Sequence, residues 1–352
     1  MDRLSIITTY YNAKEFILDA INSINQQEFE GFEVEYVLVN DKSTDDSYTL
    51  VKNFIDKAGN KKITFKLVEP DKNLGCGGAR KFGIDNATGD FFMFLDADDY
   101  YMHKDFVNRA YHDIINENAD VVEYGILFNQ QNGQQINNTA PQKVVIENNP
   151  SLAEIALFKD NLIKFNVWSK IYRRWVVESY PYSTVRTYED VRTIPVWISN
   201  AKKIVIMPVT EINYRAAAGS IIRTNMIDTR LGTITAIAEL FERYKSDMNV
   251  LKAMYGRAMV DLEAMLHNHS SNNPGFNEMS RLNTYMLSFI YPDSYKEKTF
   301  HIEDEPKKDN KKQSNEKPAE TQKNDNQQSL EQEKEQLKIL TPDESFDDIE
   351  IE

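Results

Sequence analysis

Three carboxylates, Asp96, Asp98 and Asp99, follow the apolar run Phe91–Leu95 within one turn of chain. Carboxylates that close repel one another unless a cation or other positive group relieves them, and their hard oxygens suit a divalent metal. Asp is also a good helix cap, so the cluster equally reads as the start of a helix near His103. A second acidic group, the pair Glu189-Asp190, follows Tyr188. A carboxylate there can take the proton of an attacking hydroxyl, or merely complement a helix N-terminus. Upstream of both acidic groups lies Asn73-Leu74-Gly75-Cys76-Gly77-Gly78-Ala79-Arg80. Its glycines let backbone N–H groups approach a phosphate, with Arg80 adding a fork of donors; they also suit a tight connection.

Such groups need elements that hold them on one side of a sheet. Leu4–Thr8, Val34–Val39, Ile63–Val68 and Phe91–Leu95 are short apolar runs that read as buried strands. Phe16, Ala20, Ile21 and Ile24 recur at helical spacing, placing a helix over about 13–27. Ser43 or Thr44 caps a second helix carrying Leu50, Val51, Phe54 and Ile55, and a third runs from Ala79 to Asn86. This alternation predicts an α/β fold, a doubly wound, mostly parallel, Rossmann-like sheet. Ligands of such sheets sit beyond the carboxyl ends of the strands. Asp41, the glycine-rich turn and Asp96–Asp99 all fall there, which describes a nucleotide-diphosphate site.

Four stretches together resemble the family 2 glycosyltransferases, inverting sugar-nucleotide enzymes of the GT-A fold. They are Ser5-Ile6-Ile7-Thr8-Thr9-Tyr10-Tyr11-Asn12, Val39-Asn40-Asp41-Lys42-Ser43-Thr44-Asp45, Asn73-Leu74-Gly75 running to Ala79-Arg80-Lys81-Phe82-Gly83-Ile84, and Phe94-Leu95-Asp96-Ala97-Asp98-Asp99. The resemblance implies that Thr9, Tyr11 and Asp41 hold the nucleotide base. It places Arg80 near the base or diphosphate, Asp96 near the ribose or sugar, and Asp98 on a Mn²⁺ or Mg²⁺ ion. It further implies that Asp190 is the catalytic base, with Glu189 as the alternative. Where this chain has Thr9, Asn40 and Lys42, the family often has Pro, Asp and Gly. Asn40 carries no charge, so the base contact rests on Asp41.

Beyond residue 100, Phe106–Ile115 predicts a helix, Val121–Phe128 a strand, Asn129–Thr139 a polar loop and Pro150–Phe158 a helix. Trp168 through Arg174 also resembles a family segment, with Trp168 and Tyr172 read as core and Arg173-Arg174 as a solvated pair. Ile204–Met207 and Ile212–Tyr214 read as closing strands. Tyr214-Arg215 with Gly219-Ser220-Ile221 resembles a family loop near donor phosphates or acceptor. Helical patterns follow over Ile227–Tyr244, Val250–His267 and Asn277–Tyr291, an accessory unit or an oligomer surface. The expected organisation is a GT-A domain over 1–222, a helical region over 223–295 and a disordered charged tail over 296–352.

Charge and cysteine content narrow the class. The net charge is −14, but residues 301–352 hold 16 acids against 8 lysines, leaving −6 for the rest. No basic stripe points to nucleic acid. Cys76 is the sole cysteine, which suits a reducing compartment. No apolar stretch reaches the roughly 18 residues of a membrane span, so the expected location is cytoplasmic. The expected partners are a nucleotide-sugar donor, specifically a UDP-sugar, and a glycan, lipid-linked or protein acceptor. Two rivals remain: a nucleotidyltransferase acting on a sugar phosphate, and a non-catalytic nucleotide-sugar binding or scaffold protein.

Overall fold

Strand β1 (Arg3–Tyr10) forms because its residues are buried on both faces, as a central parallel strand requires. In the computed structural model, which describes residues 1–58, 62–130, 133–215, 226–268 and 274–291, β1 pairs in parallel with β2 (Glu33–Asn40). β2 pairs in parallel with β3 (Ile63–Val68), and the other edge of β1 takes β4 (Phe91–Phe94), also parallel. Helices α1 (Ile17–Asn25), α2 (Ser47–Lys57) and α3 (Gly75–Asn86) make the crossovers. The four strands thus point the same way, and their carboxyl ends share one edge, as the sequence predicts.

The sheet continues through the second half of the chain. After β5 (Tyr100–Tyr101) and α4 (Phe106–Asn116) comes β6 (Val121–Asn129). Strands β7 (Gln135–Asn138) and β8 (Val144–Glu147), helix α5 (Pro150–Phe158), strand β9 (Lys170–Arg173), α6 (Arg174–Glu178), α7 (Glu189–Asn200) and β10 (Lys203–Arg215) follow. The strand order is β3-β2-β1-β4-β9-β6-β10-β5. β9 runs antiparallel between β4 and β6, while β10 is parallel to β6, so β6 and β10 end at the same edge as β4.

Several expectations need correction. The segment read as a polar loop contains β7, which pairs antiparallel with β6 as a hairpin. The two closing strands are one strand, β10, with a register irregularity between Ile206 and Ile212. The acidic cluster does not cap a helix at His103; α4 starts at Phe106, with Asp105 at its cap position. Arg173 and Arg174 are not a solvated pair. Arg173 Nε donates to the Ala119 carbonyl and Arg174 Nε to that of Gly89, each at 2.7 Å. Trp168 and Tyr172 are buried, as expected of core.

Helices α8 (Met226–Leu240), α9 (Met248–Asn268) and α10 (Pro274–Ile290) pack onto this layer through α5 and α7. Ile234, Ile237, Phe241, Leu251 and Met254 join the same apolar core as the sheet. The helical region is therefore a packed layer. The expected boundary at 222, the Gly219–Ile221 motif and the tail 296–352 lie outside the described residues. No described helix is long and apolar enough to cross a membrane.

Candidate active site

The edge formed by β1 and β2 brings Thr9, Tyr11 and Asp41 together. Tyr10 pairs with Asn40 in the parallel register, and the Asp41 N–H donates to the Tyr10 carbonyl at 2.9 Å. Tyr11 is 51% exposed, leaving a ring open for stacking. Asp41 is buried, and its carboxylate accepts the Leu74 N–H at 2.7 Å and the Gly75 N–H at 2.9 Å. Burial nevertheless raises its pKa above the ordinary value, those two bonds opposing. Asp41 thus holds the first turn of α3, and its other lone pairs remain for a ligand.

The family departures have a local explanation. Lys42 adopts φ +62°, a left-handed conformation that glycine takes freely and other residues at a cost of about 1 kcal/mol. Its ammonium pairs with Glu69 at 2.5 Å. The Asn40 amide donates to the same carboxylate and accepts the Ser43 N–H at 3.1 Å. An aspartate at 40 would face Glu69 as a like charge; the amide turns that contact into a hydrogen bond.

The glycine-rich stretch is the opening of α3 and does not form a loop before it. Gly77 lies where a Cβ would come within 2.4 Å of the Ser183 and Val185 carbonyls, and Gly75 (φ +75°) where one would meet Arg186. The glycines therefore let α3 press against the chain leading into α7. Arg186 donates to Asn73 Oδ1 at 3.1 Å across the same contact.

Arg80 rises from α3 into that junction and is only 6% exposed. Its Nη2 donates to Asp96 at 2.6 Å and its Nη1 to Glu189, with Tyr182 Oη 3.3 Å from Nη1. Rather than standing open for a diphosphate, Arg80 ties the acidic turn after β4 to the first residue of α7. Its partner Glu189 is buried, whereas Asp190 is half-buried and accepts the Val191 N–H at 2.8 Å. Burial, then Glu189 beside it, pushes the Asp190 carboxyl up to about 7; Arg80 opposes and Asp96 adds to the push. A group poised near neutrality is what a general base needs.

The acid cluster is compact. One ligand oxygen from each of Asp96, Asp98 and Asp99 lies within 4.8 Å of the others. Burial first, then Asp96, pushes Asp98 up to about 6. Asp99 is fully buried: Oδ1 accepts the Arg215 N–H at 2.9 Å, while Oδ2 has no partner among the described residues. An orphaned buried carboxylate oxygen beside two more carboxylates is a donor set that a divalent cation fits.

Some participants escaped sequence reading. Glu69 and Tyr182 carry no local signal, because each meets the site only through the fold; Arg215 belongs to a stretch the sequence does single out, and the structure adds its backbone bond to Asp99. Lys170 is fully buried on β9, donating to the Lys164 and Asn166 carbonyls at 2.7 Å each. Burial lowers its pKa to about 8 despite Glu123 at 3.4 Å.

Comparison with known proteins points the same way. The profile described as Glycosyl transferase family 2 matches residues 5–177. The teichoic acid poly(glycerol phosphate) polymerase of Staphylococcus epidermidis is 42% identical over 99 residues, 28% of this chain and 13% of that protein. The poly(ribitol-phosphate) beta-N-acetylglucosaminyltransferase TarS of Staphylococcus aureus is 27% identical over 212 residues, 59% of this chain and 34% of TarS. The chain thus spans about a third of the length of these curated relatives, or less. The structure of S. aureus TarS 1-349 in complex with UDP-GlcNAc matches with TM-score 0.53 at 19% identity, covering 83% of this chain and 89% of that one. At that identity the likeness is one of fold, and the fold is the GT-A type.

Proposed function

The chain belongs to the family 2 glycosyl transferases through residues 5–177, and from that premise we propose that it moves one sugar from a UDP-sugar to an acceptor hydroxyl on a glycan or glycoconjugate, with inversion. The observation that carries this reading is the Arg80 bridge, which links the acidic turn at Asp96 to Glu189, next to Asp190. It joins a place for the departing diphosphate to a carboxylate able to take a proton.

In this mechanism Thr9, Tyr11 and Asp41 seat the base, Tyr11 by stacking and Asp41 by accepting a base N–H. Asp96 orients the ribose or sugar while Arg80 holds its carboxylate in place. Asp190 receives the acceptor proton as the hydroxyl oxygen attacks the anomeric carbon; the bond to the diphosphate oxygen breaks and UDP leaves. Asp98, with Asp96 and Asp99, would hold Mn²⁺ or Mg²⁺, which supplies charge neutralisation for the diphosphate. Glu189 stays paired with Arg80, which favours Asp190 over Glu189 as the base. The choice of UDP is supported by the fold neighbour solved with UDP-GlcNAc.

A panel of nucleotide sugars with Mn²⁺, scored by diphosphate release, tests the reading without an acceptor. The expected result is slow hydrolysis of a UDP-sugar. Pyrophosphate release from a nucleoside triphosphate and a sugar phosphate would instead establish a nucleotidyltransferase.

A further inference from the structure

A cavity of 310 Å³ opens at the ends of β6 and β10, outside the contacts described above. Phe128 and Tyr214 form its apolar wall, their ring centroids 5.2 Å apart and tilted by 56°. Trp168 stacks behind Tyr214 at 5.6 Å with 11° between planes, so that ring is fixed from the rear. The remaining lining comes from Asn129, Gln130, Ile136, Asn137, Asn138 and Thr139 on the β6–β7 hairpin. None of the lining residues carries a charge.

The hairpin is built to hold this shape. Gly125 lies where a Cβ would come within 2.0 Å of Thr139 Oγ1, so its absence admits the hairpin strand against β6. Asn137 Oδ1 accepts from Thr139 Oγ1 at 2.5 Å and Thr210 Oγ1 at 2.7 Å, which leaves its amide N–H groups as donors. Asn129 is tied between Asn213 and Gln135. Ring faces flanked by amide donors and acceptors match a hydroxylated carbon skeleton. Its C–H face packs on the rings while its hydroxyls exchange hydrogen bonds with the amides. A phosphate would find no cation in this wall. The volume is at the low end of the roughly 300–1,000 Å³ of small-molecule sites, which suits one sugar or polyol unit.

Placement ties the cavity to the reaction. β10 pairs with β6 along one side and with Tyr100–Tyr101, directly after Asp99, along the other. Tyr214 is in the cavity wall, and the next residue, Arg215, donates its backbone N–H to Asp99. We propose that this cavity is the acceptor subsite and that it takes an uncharged sugar or polyol unit. The word acceptor rests on the transferase reading above; the ligand chemistry rests on the cavity alone.

Saturation-transfer NMR on the full chain tests it, with uncharged alkyl glycosides and linear polyols as probes and polyol phosphates beside them. An uncharged probe binds the wild type more tightly than its phosphate. Asn138→Trp, which fills the cavity from an edge strand, weakens that binding at least tenfold. Phe128→Leu keeps apolar volume, loses the ring face and weakens it as well. Unchanged binding in both variants overturns the location, and tighter binding of the phosphates overturns the ligand class. UDP-sugar hydrolysis is assayed on the same samples. Its absence, with variant-sensitive probe binding intact, overturns the transferase reading and not the cavity's chemistry.

Discussion

Arg80 donates to Asp96 and to Glu189, residues 93 positions apart in the chain, from one buried guanidinium. Replacing it by Met would leave Glu189 buried without its cation. Breaking such a pair costs about 3–5 kcal/mol. Arg80→Met should therefore lower the urea midpoint markedly and abolish transfer. Arg80→Lys keeps charge but cannot span both carboxylates, and should recover stability better than turnover. Equal recovery of both would mean that Arg80 serves stability alone.

The raised Asp190 pKa gives a pH dependence with opposite signs for rate and stability. Transfer should fall about tenfold per unit below pH 7, where the base is protonated, and level off above. Unfolded, the same carboxyl titrates near 4. Between about 4 and 7 the folded state holds the extra proton, so this group's contribution to stability declines as pH rises. Asp190→Asn should flatten the melting-temperature slope across that window. A variant that steepens it would contradict the burial of this carboxyl.

Chelation tests the acid cluster. Excess EDTA, or Asp98→Ala, should abolish transfer and weaken donor binding, since the diphosphate loses its counter-charge. Full activity in EDTA would remove the metal from the account.

Gly232 on α8 lies where a Cβ would come within 2.1 Å of the Tyr188 ring, and Tyr188 has φ +61° immediately before Glu189. Gly232→Val should displace that ring and lower turnover about tenfold or more, with donor affinity nearly unchanged. Titrating UDP-sugar affinity beside turnover separates the two; a loss confined to donor binding would show that α8 acts elsewhere.

What could be read in sequence was the part that uses local pattern. The buried strands announce themselves by apolar runs, and β3 was placed at its observed bounds, Ile63–Val68. The start of α3 was not, because glycine is a poor helix former; the Asp41 carboxylate, from a different loop, fixes Leu74 and Gly75 there. β7 was hidden because Gln135, Asn137 and Asn138 look like loop residues, while their strand geometry comes from pairing with β6. The partners of Arg80 are hidden in the sequence for a related reason. Its chemistry suits phosphate as well as carboxylate, and nothing near it in sequence reveals Glu189.

The most direct test is Asp190→Asn, measured for both donor affinity and turnover, with Glu189→Gln beside it. The asparagine is nearly isosteric but cannot accept the acceptor proton at neutral pH. Turnover should fall by roughly 10²–10⁴-fold with donor affinity barely changed, since the proposed nucleotide contacts lie in the first hundred residues, at the ends of β1, β2 and β4. Glu189→Gln should weaken the Arg80 bridge and reduce stability more than it reduces turnover per folded molecule. Normal turnover in Asp190→Asn, whatever Glu189→Gln does, would contradict the account.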